Sequence, residues 1–501
     1  MKRKTKLMLN SASSLIYQAT AIICSFILPR FFLTTYGSEV NGLVSSITQF
    51  LGLITLAECG VGAVVQSALY KPLAQKDSVA ISQIALSSDR FFRKIAYLLL
   101  GYIGVLSLVY PLITLGEFDY LFTLGLIFAI SVSSFAQYYV GMTYRLLLSA
   151  DQLGFYQYII HTVSLIVNTG SCILLMGFGA SVQVVKLTTS LIFMIQPVLL
   201  SIIAKRRYKI DRKLKLEGEP IKQKWNGLAQ HIASVVLTNT DTVVLTLFST
   251  LENVSVYAVY HLVVHGLQQI VVSMTNGMKS MLGNMLANDE KEELNRSFSG
   301  IEWFLHTLVT LLFSVTAVLI LPFVRVYTAG VSDANYIVPA FAYLIVGAQA
   351  VYCYRLPYNI LVNAAGHFKQ TQRSAIIEAV INVAVSVVLV SFFGLVGVAI
   401  GTLAAMAYRT LYLVNYLRKE ILYRSFRPFV KHILVDACAA ALLIGATVLF
   451  HDFFTMGQVS YLGWGVLAIK VGVTGAALQA VVNAVFYRKE MAGALGSLRK
   501  K

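Results

Sequence analysis

Apolar residues run along this chain in long blocks, with polar and charged residues gathered into short stretches between them. A bilayer-crossing helix needs about 20 mostly apolar residues, and bounding each block by charge, Gly or Pro yields fourteen stretches of that kind. They cover 8–33, 42–70, 95–115, 121–148, 158–177, 181–204, 226–249, 254–281, 304–324, 338–364, 374–393, 395–418, 430–451 and 461–487. The pattern predicts an all-α polytopic membrane protein with about 14 transmembrane helices. The alternate connections 71–94, 149–157, 205–225, 282–303, 365–373 and 419–429 then share one side with both termini. That side holds 35 of the 40 Lys and Arg residues once a few residues of each span end are included. Because cytoplasmic loops carry the Lys and Arg excess, this side is read as the cytoplasm. One miscounted helix would scatter the asymmetry.

Composition narrows the picture. With 57% hydrophobic and 13% charged residues, and mean hydropathy +0.72, the 501 residues leave little for a soluble domain. The net charge of +17 comes from the cytoplasmic connections, with its densest cluster, KRRYKIDRKLK, at 205–215. It orients the protein, and no nucleic-acid partner is implied. Cys24, Cys59, Cys172, Cys353 and Cys438 fall singly in apolar segments without CxxC or CxxH spacing and read as packing residues. The basic start MKRKTK leads into an apolar run too long for a signal peptide, so it is expected to remain as the first span.

The chain also repeats itself. Tyr144-Arg145-Leu146 recurs as Tyr354-Arg355-Leu356, LLSADQLGFYQ (147–157) parallels ILVNAAGHFKQ (360–370), and Asn168 with Gly179 parallels Asn382 with Gly394. Two six-helix lobes, 1–225 and 226–428, are therefore expected, with helices 13 and 14 and a cytoplasmic tail appended at 429–501. Six is an even number, so the copies run in the same orientation and a cavity between them is expected.

The stretch LPRFFLTTYGSEVNGLVSSITQFLGLITLAECGVGAVVQSALYKPLAQKD at 28–77 resembles the first helical hairpin of bacterial polysaccharide flippases. These belong to the multidrug/oligosaccharidyl-lipid/polysaccharide exporter superfamily. TNTDTVVLTLFSTLENVSVYAVYHLV at 238–263 and SAIIEAVINVAVSVVLVSFFGLVGVAIGTLAAMAYRTLYLV at 374–414 resemble the family's seventh and eighth, and eleventh and twelfth, helices. The resemblance implies a flippase for undecaprenyl-pyrophosphate-linked oligosaccharide units in a bacterial cell membrane. It also implies neighbouring glycosyltransferases and a polysaccharide polymerase as partners. A monomer is expected.

A charge at the bilayer centre costs about 2.5–3.5 kcal/mol on insertion scales, so ionisable residues inside spans are functional candidates. Arg355, with Arg30 and Arg145, is expected to neutralise a pyrophosphate, because a guanidinium stays charged and grips phosphate oxygens in bidentate fashion. The alternative for each is pairing with a carboxylate or snorkelling. His261 and His265, four residues apart on one helix face, are candidates for a polar cavity wall. No Glu stands between them as HExxH requires, so no metal site is expected. Glu58, Asp241 and Asn239 are candidates for a coupling ion or for charge pairing. Lys186 and Lys470 also lie within spans, and Glu378 and Asp436 lie closer to the cytoplasm.

The chain carries no GxxxxGK[ST], GxSxG or HExxH, so neither an ATP-driven pump nor an enzyme is expected, and no cofactor is called for. A lipid-linked oligosaccharide flippase working by alternating access leads. A cation-coupled multidrug exporter of the same superfamily and a non-transporting scaffold of a cell-wall synthesis complex remain as alternatives.

Overall fold

A computed structural model describes residues 3–58, 61–114, 116–208, 210, 211, 214, 228–275 and 278–491. Cys59, most of the 205–225 connection with part of its basic cluster, and the tail beyond 491 lie outside the described residues. Within them the chain is helical and contains no strand. Among the described residues twelve helices are long and apolar enough to cross a membrane. The fourteen-helix reading accommodates that number, because the first two expected spans run together and the tenth is broken.

Helix α1 (Arg3–Gly52) carries both the first span and the start of the second. At Gly37, with φ 84°, the helix is interrupted by a backbone conformation that an L side chain resists. Gly37→Ala is expected to lower thermal stability by about 1–2 kcal/mol, the cost of left-handed backbone for a residue with a Cβ. Melting of the purified protein followed by circular dichroism checks this, and an unchanged midpoint would show that the kink tolerates a side chain. The second span continues as a 3₁₀ turn at Leu53–Glu58 and α2 (Val61–Gln75).

Several helices begin earlier than the apolar blocks suggest. Helix α3 starts at Ser78, where Asp77 accepts from the amides of Val79 and Ala80, and runs to Ile113. Its polar first half buries Ile81, Ile84, Ala85, Ser88 and Phe92, a helical stripe that a hydropathy window averages away. Helix α11 (Lys291–Tyr327) extends in the same way ahead of residue 304.

Two compact units divide at Asn239 and Thr240, inside α8 (Leu228–Phe248). The first also contains α4 (Tyr120–Ala136), a π-turn at Gln137–Gly141, α5 (Met142–Ala150), α6 (Gly154–Gly177) and α7 (Val182–Arg207). The second contains α9 (Leu251–Met274), α10 (Met278–Ala287), α11, α12 (Pro339–Tyr354), α13 (Leu356–Ala364), α14 (Phe368–Phe393), α15 (Leu395–Glu420), α16 (Arg427–Leu449) and α17 (Tyr461–Phe486). The repeat is visible in the backbone. The nine-residue α5 recurs as α13 at 214 positions on, and the positive φ of Gln152 and Gly179 recurs at Gly366 and Gly394. This register places Arg355 just ahead of α13, whereas Arg145 is the fourth residue of α5, so the two Tyr-Arg-Leu motifs differ by one helical turn.

The appended helices α16 and α17 pack on α11, with Leu443, Leu467 and Val471 around Leu319. Trp303 and Thr307 both donate to the Asn483 amide oxygen, at 3.1 and 3.2 Å.

Candidate functional site

In unit 1 the break between α4 and α5 shapes a cavity of about 350 Å³. At Gly141, the last residue of the π-turn, any Cβ would collide with Pro197 of α7, so a glycine is what lets the two helices approach. π-turns of this kind recur at functional sites. Arg145 lies one turn beyond, on α5. The cavity receives Tyr17 from α1, Ser133 and Gln137 from the α4 region, Arg145, His161 from α6 and Gln196 from α7. Its remaining walls are apolar and no carboxylate lines it. Tyr17 packs edge-on against His161 with ring centroids 5.7 Å apart. Among the described residues no carboxylate pairs with Arg145, and the buried Gln196 Nε2 has no hydrogen-bond partner.

The helix ends below this cavity are tied together. Lys6 Nζ reaches both Asp151 Oδ1 and the Asp151 carbonyl at 2.8 Å, and Arg207 Nε lies 3.6 Å from Asp151 Oδ2. The Tyr208 hydroxyl donates to the same carboxylate; burial first, then that carboxylate, raises the phenol's pKa and keeps it a donor. Asn10 bridges to the Gln152 carbonyl at 2.8 Å and accepts from the Phe155 amide at 2.6 Å. Arg145 precedes Asp151 by six residues, which at 1.5 Å each puts it about 9 Å above this clasp.

The other candidates of unit 1 stand apart. Glu58 accepts from the Tyr138 hydroxyl of the π-turn. Asn239 donates to its own helix at Val235 O, 2.7 Å away. Arg30 follows Pro29 in α1, and Lys186 sits over the Phe32 ring at 4.4 Å.

In unit 2 the arginine picked out by sequence is already engaged. Arg355 is buried and donates to Glu378, whose second oxygen lies 3.7 Å from Arg409 Nε. Arg409 in turn donates to the Thr371 carbonyl and the Ser374 hydroxyl. The pairing alternative therefore describes Arg355 in this conformation, within a buried Arg-Glu-Arg triad that keeps one net positive charge. Asp241 is buried among oxygen groups. The Thr402 hydroxyl lies 2.8 Å from both of its oxygens, Tyr257 OH donates at 3.1 Å, and Asn382 Nδ2 donates at 3.4 Å. Asn382 Oδ1 is left buried without a partner. From Tyr257 a stack runs along α9 through His261 and His265, with centroid spacings of 5.3 and 5.2 Å, to Gln269, which lies 3.1 Å from His265. Asp241 and the two histidines thus belong to one polar column. Among the described residues no group of three or more His, Cys, Asp or Glu side chains is arranged to hold a metal ion.

A further buried network escapes a reading by isolated charges. Glu302 accepts from Tyr358 OH at 2.6 Å and from Arg424 at 2.7 Å. Asp436 accepts from Thr310 at 2.7 Å and lies 2.6 Å from His306 Nδ1. His306 and His432 stack at 4.7 Å, and His432 Nδ1 lies 2.7 Å from Tyr487 OH. The signal available in sequence was the spacing of Glu302 and His306, one turn apart on a helix that looked apolar only from residue 304. Lys470, by contrast, donates to the Phe453 carbonyl at 2.9 Å beyond the end of α16, the behaviour of a snorkelling lysine.

No protein-family model matches this sequence, and no curated protein matches it. Solved structures do. A lipid II flippase MurJ in an inward closed conformation superposes with TM-score 0.71 at 14% identity, covering 97% of this chain and 100% of that one. An inward-facing multidrug resistance MATE transporter of the MOP superfamily gives 0.59 at 14% identity, covering 84% and 98%. A MATE transporter in complex with MaD3S gives 0.56 at 12%, covering 85% and 100%. The chain has the fold of this superfamily of transporters. At these identities the likeness establishes the fold alone; the twelve candidate spans among the described residues are those of a multi-pass membrane protein.

Proposed function

We propose that this protein is a flippase that moves undecaprenyl-pyrophosphate-linked oligosaccharide units from the inner to the outer leaflet of a bacterial cell membrane, by alternating access, with both termini in the cytoplasm. The observation that carries this reading is the carboxylate-free cavity around Arg145. A guanidinium with no counter-charge suits a phosphoryl group, whereas an exporter of cationic drugs needs acids there. The extent of the MurJ match supports it too, since the lipid II flippase match covers 97% of this chain while the MATE matches cover 84–85%.

Arg30 and Arg355 are proposed as further contacts for the headgroup, Arg355 once its pairing with Glu378 loosens during the cycle. His261 and His265 line the path, and Asp241 serves as the coupling group because it is a buried carboxylate beside an unsatisfied Asn382 oxygen. Outward movement of a negative headgroup is downhill in an inside-negative cell, by about 2.3 kcal/mol per charge per 100 mV. The protein then has mainly to lower the desolvation barrier, which fixed guanidinium groups do without ATP.

Proteoliposomes loaded with fluorescent polyprenyl-pyrophosphate oligosaccharide test the proposal. Outer-leaflet quenching should report exchange with the wild-type protein and none with empty liposomes. Efflux of cationic dyes with no lipid exchange would transfer the protein to the multidrug-exporter reading.

A further inference from the structure

Unit 1 by itself contains a cavity whose polar lining is made of hydrogen-bond donors and has no acid. Six side chains from five helices and the π-turn supply polar groups to its cavity: Arg145, Gln196, Tyr17, His161, Gln137 and Ser133. Every one of them can donate a hydrogen bond, and none is an acid. Gln196 is 7% exposed, and its Nε2 has no acceptor. Buried donors are almost always satisfied, so an orphan on a cavity wall marks the position of an absent acceptor. Arg145 repeats the message in charge, having no carboxylate partner among the described residues.

We propose that this cavity binds a phosphate-class oxyanion, gripped by the Arg145 guanidinium and capped by the Gln196 amide. A volume of about 350 Å³ exceeds what a halide fills, and donors converging from several helices match a tetrahedral anion better than a planar carboxylate. The guanidinium fork takes two of its oxygens and Gln196 a third. The acids near this end of unit 1 are engaged elsewhere: Asp151 holds Lys6, Arg207 and Tyr208, and Glu58 accepts from Tyr138. As a substrate contact this site rests on the flippase reading; as a binding site it does not. The phosphoryl group has two possible sources, a polyprenyl headgroup or free phosphate.

The test uses the full chain. Inorganic pyrophosphate is titrated calorimetrically into protein in uncharged detergent, and polyprenyl phosphate is offered in phosphatidylcholine nanodiscs. Wild type should bind at least one probe. Arg145→Gln should weaken that binding about tenfold or more, Gln196→Leu by a smaller factor, and Arg145→Lys should recover part of the loss, as expected for charge-assisted hydrogen bonds. Binding of the lipid alone identifies the headgroup as the source, and binding of pyrophosphate alone identifies free phosphate. Failure of both probes with wild type overturns the inference, as does unchanged affinity in both Arg145→Gln and Gln196→Leu at wild-type melting temperature. Arg145-dependent binding without lipid exchange in proteoliposomes would remove the flippase reading and leave the site standing.

Discussion

Glu378→Gln is expected to destabilise the protein more than any other single change in the Arg355–Glu378–Arg409 triad. The substitution keeps the shape of the side chain but leaves two buried guanidinium groups facing each other without a counter-charge. Breaking a buried pair by removing one partner costs about 3–5 kcal/mol. Arg355→Ala should cost less, because Arg409 remains 3.7 Å from Glu378 to balance it. Thermal melts in detergent decide the order, and equal midpoints for the two variants would mean that the triad is not held by charge. The ranking also matters for transport: a folded Arg355→Ala protein isolates whatever Arg355 contributes to moving the substrate.

Asp241→Asn is the second large effect. The amide fills the same space and its oxygen can still accept from Thr402 and Tyr257, but it carries no negative charge to hold a coupling ion. If the carboxylate couples transport to an ion, lipid exchange under an imposed proton or sodium gradient should fall about a hundredfold, equivalent to about 2.7 kcal/mol. A variant that still responds to the gradient at the wild-type rate would reduce Asp241 to a structural role.

The fold was largely legible from the amino acids, because a bilayer imposes one long apolar signal per span and a charge bias at one end. What escaped were the places where helices leave that signal. The polar start of α3 and the extension of α11 carry amphipathic stripes too dilute for a hydropathy window. The breaks at Gly37 and at the Gln137–Gly141 π-turn depend on backbone geometry. The candidate residues fared unevenly for a related reason. Sequence shows that a charge lies in a span but not which partner stands opposite. Arg355 and Arg145 therefore looked alike, yet one faces Glu378 and the other a cavity with no acid in it. Gln196, Tyr17 and His161 attracted no notice because, taken singly, uncharged polar residues inside helices are unremarkable. Only their convergence gives them meaning.

The clasp at the foot of unit 1 also bears on how the chain is made. Lys6 and Asn10 are held by Asp151, Gln152 and Phe155, partners roughly 145 residues further on. A ribosome adding about 5–20 residues per second reaches Asp151 roughly seven to thirty seconds after it has produced Lys6. For that interval the first helix is in the membrane without its permanent mooring. The insertion machinery, or the lipids beside it, must keep it waiting until α5, α6 and α7 arrive.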